Sequence, residues 1–97
     1  MYVIAVIRYR KPLEEVLTAI EPHRAYLRSL KEKGLLLASG PFEPRFGGGV
    51  LLRLPDGTKD ADLLRLRDDD PFVQRGLAQW ELWPWNPVIG KEDLDRA

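Results

Sequence analysis

The run Tyr2-Val3-Ile4-Ala5-Val6-Ile7 puts apolar or aromatic side chains on both sides of the pleat, with no polar residue between them. Successive strand residues face opposite ways, so a strand of this composition has to be covered on both faces. It predicts a central strand with helices on one side and a second apolar layer on the other.

The rest of the chain supplies the helices. Leu13 to Lys33 reads as helical, with a break near Glu21 because Pro22 cannot sit inside an unbroken helix. Gly34 reads as the left-handed cap of that helix, and Leu35 to Ser39 as a buried strand stopped by Gly40-Pro41. Phe42 to Gly49 reads as a flexible loop or pocket lid. Its Gly47-Gly48-Gly49 run lacks the lysine-serine pair and following helix of a phosphate cradle. A strand Val50 to Leu54, a turn at Pro55-Asp56-Gly57-Thr58 and a helix Ala61 to Arg67 follow, the helix with Leu63, Leu64 and Leu66 partly inward. Phe72 to Arg75 adds a helical turn ended by Gly76, and Ala78 to Trp83 forms the last strand. Pro84-Trp85-Asn86-Pro87 should stop the pairing, and the polar tail of about 88–97 should be a short helix from Lys91 or a loose end.

The order β-α-β-β-α-β, with one small extra helix, is the split βαβ arrangement: an α+β, ferredoxin-like, four-stranded antiparallel sheet with its helices on one face. The bare face needs a lid, and an identical sheet from a second subunit is the simplest one. A homodimer, or a higher homo-oligomer, is therefore expected.

Composition narrows the function. Ninety-seven residues make one domain spanning 1–97. Fifteen basic and fifteen acidic side chains cancel, and no Lys/Arg cluster stands out as a face, which argues against a nucleic-acid partner. No apolar run approaches the ~20 residues of a membrane span, and the N-terminus has no signal-peptide pattern, so a soluble cytoplasmic protein is expected. The absence of cysteine excludes a disulfide, a thiolate metal site and a cysteine nucleophile. A single histidine excludes a multi-histidine metal centre within one chain, and no cofactor motif is present. One asparagine, one methionine and an excess of arginine over lysine fit a thermophile.

That histidine, His23, is chemically out of place. Val16, Ile20, His23, Leu27 and Leu30 recur at three- and four-residue intervals, so the imidazole shares the core-facing stripe of its helix. A buried imidazole needs a partner, best a carboxylate that fixes its tautomer, and Asp70 is the candidate. Asp70 before Pro71 is also what a helix N-terminus requires. The two roles are compatible, because a carboxylate has several acceptor sites.

His23-Arg24-Ala25-Tyr26-Leu27, then Lys33-Gly34-Leu35-Leu36-Leu37-Ala38-Ser39-Gly40-Pro41, then Asp70-Pro71-Phe72, and Gly76-Leu77 before an aromatic strand together resemble the YCII-related domain family over nearly the whole chain. The resemblance implies a ferredoxin-like fold of the dimeric α+β barrel type, with the matching His and Asp facing each other in a pocket. Its relatives include a dehydrochlorinase acting on a chlorinated hydroxyquinol. On this basis His23 and Asp70 are the candidate catalytic pair, and Ser39, Gly40, Pro41, Phe72 and Trp83 the candidate substrate-binding residues.

The remaining candidates are weaker. Ser39 lacks the glycine pattern of a nucleophile elbow, so it reads as a hydrogen-bond donor or turn residue more readily than as part of a triad. Trp80 shares its strand face with Leu82 and reads as core, whereas Trp83 falls with Gln79 and Glu81 and suits a pocket or a subunit interface. Arg8 and Arg10, just after the first strand, could hold an anionic substrate, although exposed arginines usually do nothing specific.

Three function classes follow. The leading one is a small cofactor-independent enzyme of lyase, dehydrochlorinase or hydrolase type, in which His23 oriented by Asp70 does acid/base work on a small organic substrate. The second is a noncatalytic dimeric domain that binds a metabolite or a partner. The third is a monooxygenase of the same architecture. An open pocket would let His23→Ala and Asp70→Asn remove activity with little change in melting temperature, whereas a purely structural pair would make both destabilising.

Overall fold

The computed structural model describes residues 1–97. Its elements are β1 (Tyr2–Tyr9), α1 (Leu13–Val16), a 3-10 turn (Leu17–Ala19), α2 (Ile20–Glu32), β2 (Leu36–Pro41), β3 (Gly47–Arg53), α3 (Asp60–Asp68), α4 (Pro71–Gln74), β4 (Ala78–Trp85) and α5 (Lys91–Arg96). The four strands form one sheet in the order β2-β3-β1-β4, antiparallel throughout. This is the ferredoxin-like α+β arrangement.

β1 is central, as its composition requires, and its two faces have different fates. Val3, Ala5 and Ile7 are buried on one face, in one core with Val16, Leu27 and Leu30 from the α1–α2 region, Leu63 and Phe72. On the other face Ile4 and Val6 are only half-buried. Tyr2, at one end of that face, is buried, and its hydroxyl donates to Asp95 of α5.

Several expectations are corrected. The helical break falls at Leu17–Ala19, not near Glu21. Pro22 has no N–H to give to the carbonyl of Thr18, and its ring would collide there, so the helix has to be interrupted upstream. Pro22 is then the third residue of α2, where the missing donor is one the first turn cannot use anyway.

Gly40-Pro41 and Pro84-Trp85 do not end their strands. Gly40 pairs with Gly49, Pro41 with Gly48, Pro84 with Val3 and Trp85 with Tyr2. Both prolines lie on edge strands, which bond on one side only, so an N–H missing from the outer side breaks nothing.

Gly47-Gly48-Gly49 is no lid. These residues open β3 and pair with β1, and Gly48 and Gly49 pair with β2 as well. A Cβ at Gly47 would fall 1.9 Å from the carbonyl oxygen of Ile7, and one at Gly48 would fall 2.8 Å from that of Gly40. Close backbone approach, not flexibility, explains the glycines. A smaller correction concerns α3, where Leu63 is buried and Leu66 half-buried, but Leu64 is exposed.

The tail is tied down. Arg53 donates from Nη1 to the Leu94 carbonyl at 2.8 Å and from Nη2 to the Ala97 carbonyl at 2.7 Å, while Lys91 Nζ lies 2.8 Å from Asp95. The hydrogen bond from Lys91, then that from Tyr2, holds the Asp95 carboxyl below its ordinary range. The Asp95 carboxylate in turn raises Lys91 and Tyr2. A depressed carboxyl stabilises the folded state above its unfolded-state pKa and loses that contribution as pH falls through the folded one; raised Lys and Tyr groups stabilise below their unfolded values and lose it as pH rises. Docking of α5 should therefore hold on a neutral plateau, with release below about pH 4 and again above about pH 10. Amide shifts of Lys91–Arg96 and Trp85 fluorescence against pH check this; a single transition coincident with global unfolding would show that the tail has no docking equilibrium of its own.

Candidate active site

The site is built where α2, α4 and the helix-covered face of the sheet meet. α2 carries His23 inward on its buried stripe, and the residue is 7% exposed. α4 starts at Asp70, whose backbone is extended and whose Oδ1 accepts from the N–H of Phe72 at 3.0 Å, with Pro71 in the first helical position. The capping reading of Asp70 is thus correct.

The same oxygen meets the imidazole. His23 Nδ1 and Asp70 Oδ1 are 2.8 Å apart, and the carboxylate's other oxygen accepts from the indole Nε1–H of Trp80 at 2.9 Å. Asp70 has no solvent exposure and receives three N–H groups. Two of them, an amide and an indole, can only donate. The carboxylate therefore acts as acceptor toward Nδ1 as well, and Nε2 is the ring nitrogen left outside the dyad. No protein group bonds Nε2, and no buried side-chain nitrogen or oxygen is unpaired, so this nitrogen is open to the pocket.

The ring is held in plane as well as in tautomer. Phe72 stacks on it with centroids 3.7 Å apart at 6°, and Tyr9 packs edge-on against Phe72 at 6.0 Å and 87°. On the outer side of α2, the Tyr26 hydroxyl donates to the Leu66 carbonyl at 2.5 Å and links α2 to α3. Burial first, then the Asp69 and Asp70 carboxylates, keep that phenol above its ordinary range, so it stays a donor.

The pocket in front of Nε2 has a volume of ≈ 170 Å³. Ser39, Gly40, Pro41 and Phe72 all line it, as expected from the sequence. Ser39 lines the same pocket as His23 and makes no hydrogen bond to it. Trp83 is not in the lining; it stands 57% exposed on the opposite face of the sheet, paired with Ile4. Strand alternation put it with Gln79 and Glu81, and that face turns away from His23. Arg8 and Arg10 are not at the pocket either: Arg8 pairs with Glu81 at 2.6 Å and Arg10 bonds Gln79.

Two features escaped the sequence reading. Trp80 is core, as expected, but it is also the second anchor of Asp70; the available signal was that a buried indole N–H needs an acceptor. Arg24 and Arg45 reach the pocket, and no sequence spacing links a helix residue to one in the β2–β3 loop. The site's only carboxylate has both oxygens engaged by N–H donors, and no group of three or more His, Asp or Glu side chains stands ready for a metal.

The YCII-related domain profile matches residues 1–86. The chain belongs to the YCII-related domain family. Among solved structures, this YCII-related domain is similar to 5-chloro-2-hydroxyhydroquinone dehydrochlorinase from Burkholderia phenoliruptrix AC1100 in complex with 2,5-dihydroxybenzoquinone, with a TM-score of 0.72, 19% identity, and coverage of 91% of this chain and 96% of that one. At this identity the likeness shows the fold. Comparison with curated protein sequences gives no match. No helix of this YCII-related domain is long and apolar enough to cross a membrane.

Proposed function

We propose that this domain is a small acid/base enzyme in which His23 Nε2 takes a proton from, or returns one to, a ring-sized organic substrate, with Asp70 as the positioning residue. The observation that supports this most directly is an imidazole fixed by Asp70 and Phe72 on its protected side while Nε2 opens into a pocket. A histidine kept for packing alone has no need of an open nitrogen in front of a cavity. An imidazole held by one nitrogen can take up or give back a proton through the other, which suits general acid/base work.

The dehydrochlorinase of the same fold suggests the reaction type. In loss of HCl, a base takes the proton while chloride departs with the bonding electron pair; the constellation here supplies the base. Incubation in D2O with a panel of hydroxylated arenes, 5-chloro-2-hydroxyhydroquinone among them, should show chloride release or deuterium entering a C–H position, dependent on His23. Binding without any exchange or turnover across the panel would instead support a noncatalytic metabolite-binding domain.

A homodimer through the open sheet face is part of this proposal. Ile4, Val6 and Leu51 are only half-buried there, Trp83 is exposed, and Val88 and Ile89 beyond β4 are 80% and 97% exposed. An apolar surface of this kind is normally covered. Light scattering at micromolar concentration should give twice the 11.1 kDa chain mass. Trp83→Glu should shift it toward one chain mass, and a monodisperse wild-type monomer would remove the proposal.

A further inference from the structure

We propose that the ligand of this pocket is a single-ring organic anion whose negatively charged oxygens are held between the guanidinium groups of Arg24 and Arg45. This rests on reading the same pocket as the functional site, and it names the class of molecule that fits there.

Charge is the first argument. Arg24 from α2 and Arg45 from the β2–β3 loop both line the cavity, and no Asp or Glu lines it with them. The Asp70 carboxylate lies behind the imidazole and is engaged by three donors. Neither guanidinium belongs to an ion pair, whereas Arg8, Arg65, Arg67 and Arg96 all do. Arg45 makes one long contact, Nε to the Tyr9 hydroxyl at 3.5 Å, which orients the side chain and leaves its outer nitrogens free. Planar guanidinium groups bind carboxylates in bidentate fashion and can donate a charge-assisted hydrogen bond to a phenolate oxygen.

Size and shape supply the second argument. A cavity of ≈ 170 Å³ compares with the roughly 150 Å³ that accommodates benzene. Gly48 and Gly49 contribute to the lining, and a Cβ at Gly48 is blocked by the Gly40 carbonyl, so this part of the wall is bare backbone. A flat floor, with Ile7, Leu27, Val50 and Phe72 around it, suits a planar ring.

The surface outside the pocket agrees. Arg24, Arg28 and Lys31 follow one another at four- and three-residue spacing on α2 and line a groove of ≈ 320 Å³ against β2, again without an acidic side chain. Charges that cancel over the whole chain are therefore not evenly spread: a basic stripe leads to the pocket mouth and would draw an anion toward it.

The test is an NMR titration with two matched pairs, benzoate against benzamide and 4-nitrophenolate against 4-nitroanisole, at low and high salt. At least one anion should bind with shifts at Gly48 and Gly49, at least about tenfold more tightly than its neutral partner, and more weakly as salt rises. Arg24→Gln and Arg45→Gln, both at solvent-accessible positions, should each weaken the anion about tenfold and leave the neutral compound unchanged. Equal affinity within both pairs, no binding by any of the four, or a charge preference that survives the double substitution would overturn the clamp. His23→Gln separates this inference from the proton-transfer reading. A charge preference lost in that variant alone would overturn the clamp and leave proton transfer standing, while a preference retained there, alongside a wild-type protein that exchanges no proton in D2O, would support the clamp and count against the enzyme.

Discussion

Asp70→Ala should lower the stability of this domain by about 3–5 kcal/mol, because it removes the acceptor from three N–H groups at a fully buried position. Single domains of this size have only about 5–15 kcal/mol in total, and the melting temperature should fall by at least about 12 °C. Asp70→Asn should fall between this and the wild type. Its carbonyl oxygen can still accept from Phe72 and His23, but its amide then faces the Trp80 indole donor to donor. Trp80→Phe in the Asn background should recover part of the loss, since it removes the conflicting N–H. Thermal melts decide the matter: an Asp70→Ala domain as stable as the wild type would mean that the buried network carries little of the fold's stability. One expectation from the sequence is revised here. An active-site pair was expected to leave melting temperature nearly unchanged on Asp70→Asn, but a carboxylate that also caps α4 and holds an indole destabilises when altered, whether or not it serves catalysis.

His23 is the cleaner probe of chemistry. His23→Gln should reduce kcat/KM for a substrate found in the hydroxylated-arene panel by about 10²–10⁴, the usual range for loss of a positioned general acid or base. Asp70 keeps two of its three donors in this variant, so the stability loss should stay near about 1–3 kcal/mol and the protein should remain folded for assay. Circular dichroism alongside the activity measurement separates the two effects. A variant that is folded and fully active would show that Nε2 moves no proton.

How much of this was legible beforehand differs from residue to residue. The both-sided apolar pattern of Tyr2–Ile7 led to a central strand because strand periodicity acts within a few residues. The stripe through Val16, Ile20, His23, Leu27 and Leu30 put the imidazole inside for the same local reason. Asp70-Pro71 carried a helix start in its two residue types. The strand-boundary errors share one cause. Whether a proline or a glycine run ends a strand depends on which strand is at the edge and how closely its neighbours approach, and both are set by partners distant in sequence. Pro41 and Pro84 are tolerated by edges, and Gly47 and Gly48 by the carbonyls of Ile7 and Gly40.

The sequence by itself therefore determined the elements, their order and the inward direction of His23, all of which follow from short-range sterics and the need to bury apolar stripes. Only the tertiary structure decided that Trp80 shares Asp70 with His23, that Nε2 faces an open pocket while Trp83 faces away from it, and that Arg24 and Arg45 converge there. The physical reason is that local periodicity fixes which way a side chain points from its own element, while hydrogen-bond networks and pockets are properties of distances between elements, which only the packing of α2, α4 and the loop before β3 against the sheet brings down to a few ångströms.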